Sequence, residues 1–231
     1  MTISLLLIPG LNCTERAFMP TLESVWPLAS VTIVNHWRGD SMAAIARGIL
    51  AEAPPRFALL GFSMGGYVAF EMWRQAPRRI DRLCCLATQA RPDTPEQAEN
   101  RRRMIALAAQ GRFEQVFGAN FANTVHPDHV NDARLREVHA RMARETGSET
   151  YMAQQTAILG RPDSRLDLAG ITVPTSVIVG EADMVTGVDG AREIAEGVPG
   201  ATFTIVPGAG HMVPLEQPAA VGTALADWLR R

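Results

Sequence analysis

The sequence predicts an α/β protein: a mainly parallel sheet of about six strands with helices on both faces. Two observations carry this. Six short, continuous apolar runs are each too brief for an ordinary helix, and several are rich in β-branched residues. Helical patterns lie between most of them, and strand–helix alternation with unbroken apolar strands is the signature of a parallel sheet covered on both sides. A third observation adds a part. Residues 91–169 break the alternation with helical patterns alone, which predicts an inserted all-helical lid between core segments 1–90 and 170–231.

In chain order, "ISLLLI" (3–8) is the first strand, closed by Pro9-Gly10, and "VTIVN" (31–35) the second. Ser41 is placed to cap a helix over 41–53. "FALLGF" (57–62) is the third strand, and a helix over 64–76 stops before Pro77. "LCCLAT" (83–88) is the fourth. In the insertion, Thr94, Pro95 and Gln97 form the start signal of a helix that Gly111 can end. "FEQVFGANFA" is a second helix. A third runs from His126 to Gly147, and a fourth begins at Ser148. "TSVIVG" (175–180) and "TFTIV" (202–206) complete the sheet, with helices over 189–198 and 218–231.

Composition narrows the function. With 231 residues, 47% hydrophobic and 20% charged, the chain can bury one sizeable core. A net charge of −2 supplies no field for nucleic acid or an anionic membrane. Three cysteines, an odd number, argue against a secreted disulfide scaffold. "MTISLLLIPG" lacks a basic leader and is too short to span a membrane, so a cytoplasmic location is expected. No metal cluster and no Gly-rich phosphate loop occur, so neither metal nor cofactor is expected. A monomer or homodimer acting on a small molecule fits.

Ligand sites of open parallel sheets lie beyond the carboxyl ends of the strands. There the third, fifth and sixth strands lead into "GFSMGG", "GEADMVTG" and "PGAGHMVPLEQP", bringing Ser63, Asp183 and His211 to one end. Alone, Ser63 could be a helix cap and His211 a loop histidine; together, in that order, they point to nucleophilic catalysis.

With these residues in place, the chain resembles the α/β-hydrolase family. "GFSMG" is similar to its G-x-S-x-G nucleophile elbow, "VIVGEADMVT" to its acid turn and "VPGAGHMVPLEQP" to its histidine loop. The likeness spans essentially the whole chain and is strongest to lidded serine carboxylesterases of the biotin-pathway methyl-esterase and small-esterase type. It implies cleavage of a small carboxylic ester or thioester through an acyl-enzyme. Ser63 would be the nucleophile, His211 the base and Asp183 the acid, with Glu181 the next candidate acid. Gly61 and Gly65 would permit the sharp elbow. The Met64 amide would point at the oxyanion, and Leu11 would give the second donor. C–C bond hydrolysis on the same residues, or a hydrolase-derived receptor with slow turnover, are the alternatives.

Three departures matter. Pro9 stands where the family often has histidine, which bears on the second shell of the Leu11 loop. The antiparallel hairpin that many relatives carry ahead of the first parallel strand is absent from the pattern. The nucleophile is serine, which disfavours the epoxide and halide chemistry of relatives that attack with a carboxylate. Candidate pocket residues are Asn12, Met184, Met212, Phe113, Phe117 and Tyr151. Arg101, Arg102 and Arg103 form a basic run. It reads first as a solvated helix face and, through the likeness, as a docking point for an acyl carrier protein.

Overall fold

In the computed structural model, which describes residues 2–231, six strands form one wholly parallel sheet. They are β1 (Ile3–Ile8), β2 (Ala29–Ile33), β3 (Phe57–Phe62), β4 (Ile80–Leu86), β5 (Thr175–Gly180) and β6 (Thr202–Val206), in the spatial order β2-β1-β3-β4-β5-β6. The central strands β3 and β5 are buried at every position, which is why they read as unbroken apolar runs. The edge strands β2 and β6 keep partly exposed positions. β2 begins two residues earlier than its apolar run suggests, and β4 begins at Ile80.

Helices α1 (Met42–Glu52), α2 (Met64–Gln75) and α6 (Val188–Gly197) cover one face. The Ser41 side chain caps α1 by accepting from the Ala44 amide. The short α7 (Val213–Glu216) and α8 (Pro218–Arg230) cover the other face with residues 19–24. There Trp228 is buried and donates its ring N–H to the Pro174 carbonyl.

Between β4 and β5 the chain is helical: α3 (Pro95–Leu107), α4 (Phe113–Thr124) and α5 (Ala133–Leu159). The Thr94–Gln97 capping box opens α3. Gly111 (φ 77°) turns the chain from α3 into α4, and Gly147 (φ 78°) breaks α5 internally, at the two positions that the sequence marks as helix ends. Pro127 opens only a single tight turn. α5 starts later than expected because Asp132, accepting from the Arg134 and Leu135 amides, is the cap.

Arg101, Arg102 and Arg103 do not make one patch. Arg101 turns inward to Asp93 and Gln155 Oε1, whereas Arg102 pairs with Glu99 and Arg103 with Asn100. Consecutive helical residues are too widely spread around the axis to share a face. Asp93, whose side chain is 3% exposed, also binds the buried Arg161 just after α5 at 2.8 Å, so one carboxylate ties both ends of the insertion together.

Candidate active site

Ser63 sits between β3 and α2 with φ 53° and ψ −117°, a conformation that costs a non-glycine residue about 1–3 kcal/mol. The strain is held by close packing. A Cβ on Gly61 would lie 2.3 Å from the Gly65 carbonyl oxygen, and one on Gly65 would lie 2.1 Å from that of Ile8. Thr88, buried after β4, donates its hydroxyl to the Ser63 carbonyl at 2.8 Å, bracing the turn from below.

This geometry projects the serine hydroxyl toward His211, with Ser63 Oγ 2.8 Å from His211 Nε2. His211 Nδ1 lies 2.9 Å from Asp183 Oδ2. Asp183 is fixed by its own turn. Its Oδ1 accepts from the Val185 and Thr186 amides, and its Oδ2 also accepts the Thr186 hydroxyl at 2.7 Å. Burial alone would raise the Asp183 pKa, but the charge and hydrogen bond of His211, with the Thr186 donors, hold it well below the usual carboxylate range. Glu181 points elsewhere and accepts from the Gly208 amide.

Two backbone N–H groups border this chain of residues. Met64 is the first residue of α2, so its amide has no intrahelical acceptor and sits at the positive end of the helix dipole. The Leu11 amide, on the turn after β1, has no protein acceptor among the described residues. Its neighbour Asn12 adopts φ 60°.

A cavity of about 100 Å³ opens onto Ser63 and His211. Its walls are mostly apolar: Phe62 from β3, Val116 and Phe117 from α4, Tyr151 from α5, and Val185 and Met212 from the acid and histidine loops. Asn12, Asn120, Thr124 and His139 supply the polar positions. Burial, with the charges of Arg136 and His211, pulls His139 down to about 4, so it is neutral at pH 7. The lining contains no lysine or arginine.

Asn12, Met212, Phe117 and Tyr151 therefore reach the cavity. Met184 does not: it is 81% exposed, because the turn that lets Val185 and Thr186 donate to Asp183 points the preceding side chain outward. Val185 takes the position expected of it. Phe113 packs against Phe117 and Tyr151 inside the insertion rather than lining the cavity. Asn120, His139 and Thr88 carry no motif and reach the site only through the fold. Thr186 lies in the acid turn "VIVGEADMVT", three residues after Asp183, so a local signal for it is present in the sequence.

Comparison with known proteins identifies the family and the fold. A model described as the alpha/beta hydrolase family matches residues 5–224. A pimeloyl-[acyl-carrier protein] methyl ester esterase of Neisseria meningitidis serogroup B is 25% identical over 241 residues, covering 96% of this chain and 91% of that protein. A 2-succinyl-6-hydroxy-2,4-cyclohexadiene-1-carboxylate synthase of Salmonella arizonae is 30% identical over 186 residues, covering 76% of this chain and 69% of that protein. A solved thermophilic esterase from Thermogutta terrifontis superposes with a TM-score of 0.89 at 27% identity, over 100% of this chain and 90% of the other. A sheet in this order, with a strained serine bonded to a histidine and an aspartate at its carboxyl end, and a family match over nearly its whole length lead to one assignment: the chain belongs to the alpha/beta hydrolase family.

Proposed function

We propose that the protein is a serine esterase that cleaves a small, uncharged carboxylic ester or thioester through an acyl-Ser63 intermediate. The observation that carries this reading is the continuous chain Ser63 Oγ–His211 Nε2 (2.8 Å) and His211 Nδ1–Asp183 Oδ2 (2.9 Å), built on an elbow that holds Ser63 at φ 53°.

A serine hydroxyl is a weak nucleophile until a base takes its proton. As Ser63 Oγ bonds to the acyl carbon, His211 Nε2 accepts the proton. Asp183, kept ionised, orients the ring and stabilises the imidazolium. The Leu11 and Met64 amides stabilise the oxyanion, assisted by the α2 dipole. Collapse breaks the bond to the leaving group, which takes the proton from His211. Water then attacks the acyl carbon with His211 again as base, releasing the acid and restoring Ser63.

The uncharged cavity supports a neutral substrate, since a free carboxylate would enter without a cationic partner. Residues 91–169 act as the lid, because α4 and α5 supply Val116, Phe117 and Tyr151 to the cavity wall.

The experiment is intact mass after incubation with a fluorophosphonate, alongside turnover of short and medium nitrophenyl esters. One adduct on Ser63 together with turnover is the expected result. Neither adduct nor turnover would overturn the esterase reading and favour a receptor. An adduct with poor ester turnover would favour C–C bond hydrolysis.

A further inference from the structure

Two buried side chains from distant parts of the chain hold the peptides on either side of Leu11, in addition to the local turn bond from the Cys13 N–H to the Gly10 carbonyl at 3.2 Å. The Gly10 carbonyl and the Leu11 N–H belong to one planar trans peptide, so they point in opposite directions, and fixing one aims the other. His36, which follows β2 and is 1% exposed, places its Nε2 3.0 Å from the Gly10 carbonyl. The next peptide is pinned as well. The Asn12 N–H donates to Oε1 of Gln154 at 2.9 Å, and Gln154, on α5, is also 1% exposed. The two holders touch each other, with Gln154 Nε2 3.0 Å from His36 Nε2. A neutral ring serves one partner at a time: the Nε2–H tautomer donates to Gly10, and the Nδ1–H tautomer accepts from Gln154. Burial pulls His36 down to about 4, so the ring is neutral at pH 7.

Asn12 at φ 60° adopts the left-handed turn that asparagine tolerates better than most side chains, so the turn's shape is set locally while the aim of its peptides rests on their partners. We infer that His36 and Gln154 are positioning residues for the Leu11 oxyanion donor, and that Gln154, carried on the helical insertion, makes this donor's aim depend on the seating of the insertion against the core. The inference rests on the esterase reading above.

The test compares Gln154→Met and His36→Phe, each close in shape to the original residue and lacking its polar contact, with the unaltered protein. A trifluoromethyl ketone adds to Ser63 and places an alkoxide between the Leu11 and Met64 amides; the matching secondary alcohol occupies the same cavity without doing so. Each folded variant should lose kcat by roughly ten- to hundredfold with KM within about threefold. Ketone inhibition should weaken in proportion to the loss of kcat/KM, and alcohol inhibition should stay unchanged. Normal kcat in a folded variant would overturn the inference, as would equal weakening of ketone and alcohol, which marks a damaged cavity. If one variant fails to fold, the other carries the test. Absence of Ser63 labelling in the unaltered protein would refute the esterase reading itself, whereas an active parent with unaffected variants would refute only the positioning role.

Discussion

The backbone N–H of Met212 donates to the carbonyl of Thr124 at 2.8 Å. That bond joins the loop carrying His211 to the end of α4. Beside it, Glu216, whose side chain is fully buried, accepts from the Gly210 amide at 2.9 Å, the His126 amide at 2.6 Å and the His129 ring at 2.9 Å. A Cβ on Gly210 would lie 2.5 Å from the Val125 carbonyl carbon, so the two segments are in direct backbone contact. The loop carrying His211 and one wall of the cavity therefore form a single unit.

Glu216→Ala removes the shared acceptor and leaves buried N–H groups unpaired. It should lower stability by about 2–4 kcal/mol. Glu216→Gln, which keeps one acceptor oxygen, should cost less. Urea unfolding of the two variants against the parent measures the difference, and equal midpoints for all three would contradict the account.

The hydrogen-bond chain at Ser63 predicts graded losses. Ser63→Ala and Asp183→Asn should each reduce kcat/KM by roughly 10⁴-fold or more with the fold retained. Thr186→Val removes one donor to Asp183 and should cost about tenfold. Steady-state kinetics on one nitrophenyl ester orders the three; a Thr186→Val loss equal to that of Asp183→Asn would mean that Thr186 does more than support the acid.

Burial of His36 as a neutral ring makes stability depend on pH. Its folded value of about 4 lies below the ordinary 6.5, so the unfolded chain binds more protons between those values. This contribution is fully present above pH 6.5 and is lost as pH falls toward 4, a change on the order of 3 kcal/mol. His139, with the same direction of shift, adds to it. Denaturant midpoints from pH 7 to pH 4.5 should fall steeply in the parent and less steeply in His36→Phe.

Gly65 tolerates no side chain, since the added atom would meet the Ile8 carbonyl oxygen at 2.1 Å and the Pro9 carbonyl oxygen at 2.8 Å, both of them backbone. Gly65→Ala should cost roughly 3 kcal/mol and, by shifting the elbow, most of the activity. A thermal melt together with labelling of Ser63 checks both parts.

Phe117 closes the cavity from α4. Phe117→Ala should move the preference toward longer or branched acyl groups by about tenfold in relative kcat/KM. A series of nitrophenyl esters of increasing chain length reads this directly. An unchanged preference would locate the limiting wall elsewhere, at Tyr151 or Val116.

What the sequence disclosed and what it concealed follow from the range of the interactions. Each central strand is a local apolar run, and β1, β3, β5 and β6 have the limits their runs imply. Ser41, Thr94 and Gln97 cap helices through bonds three residues away, so a short window contains the whole signal. Ser63, Asp183 and His211 are legible because a parallel sheet delivers every strand's carboxyl end to the same place. Gln154 and Glu216 are silent in one dimension: Gln154 meets Asn12 across 142 positions, and Glu216 meets His126 across 90. Met184 illustrates the opposite error. Adjacency to the acid suggested a wall, but the turn that orients Asp183 rotates its neighbour into solvent.

The placement of α4 has a consequence for how such a protein can diversify. Val116, Phe117, Asn120 and Thr124 lie on one helix of the insertion, whereas Ser63, Asp183 and His211 hang from strands of the core. Changes confined to that helix can recut what the cavity admits while the reacting groups stay in register, provided the bond from Met212 to Thr124, which depends only on backbone, is kept. Under the proposed mechanism, α4 is therefore a stretch of the gene in which part of the selectivity can drift while the residues proposed to react are held fixed.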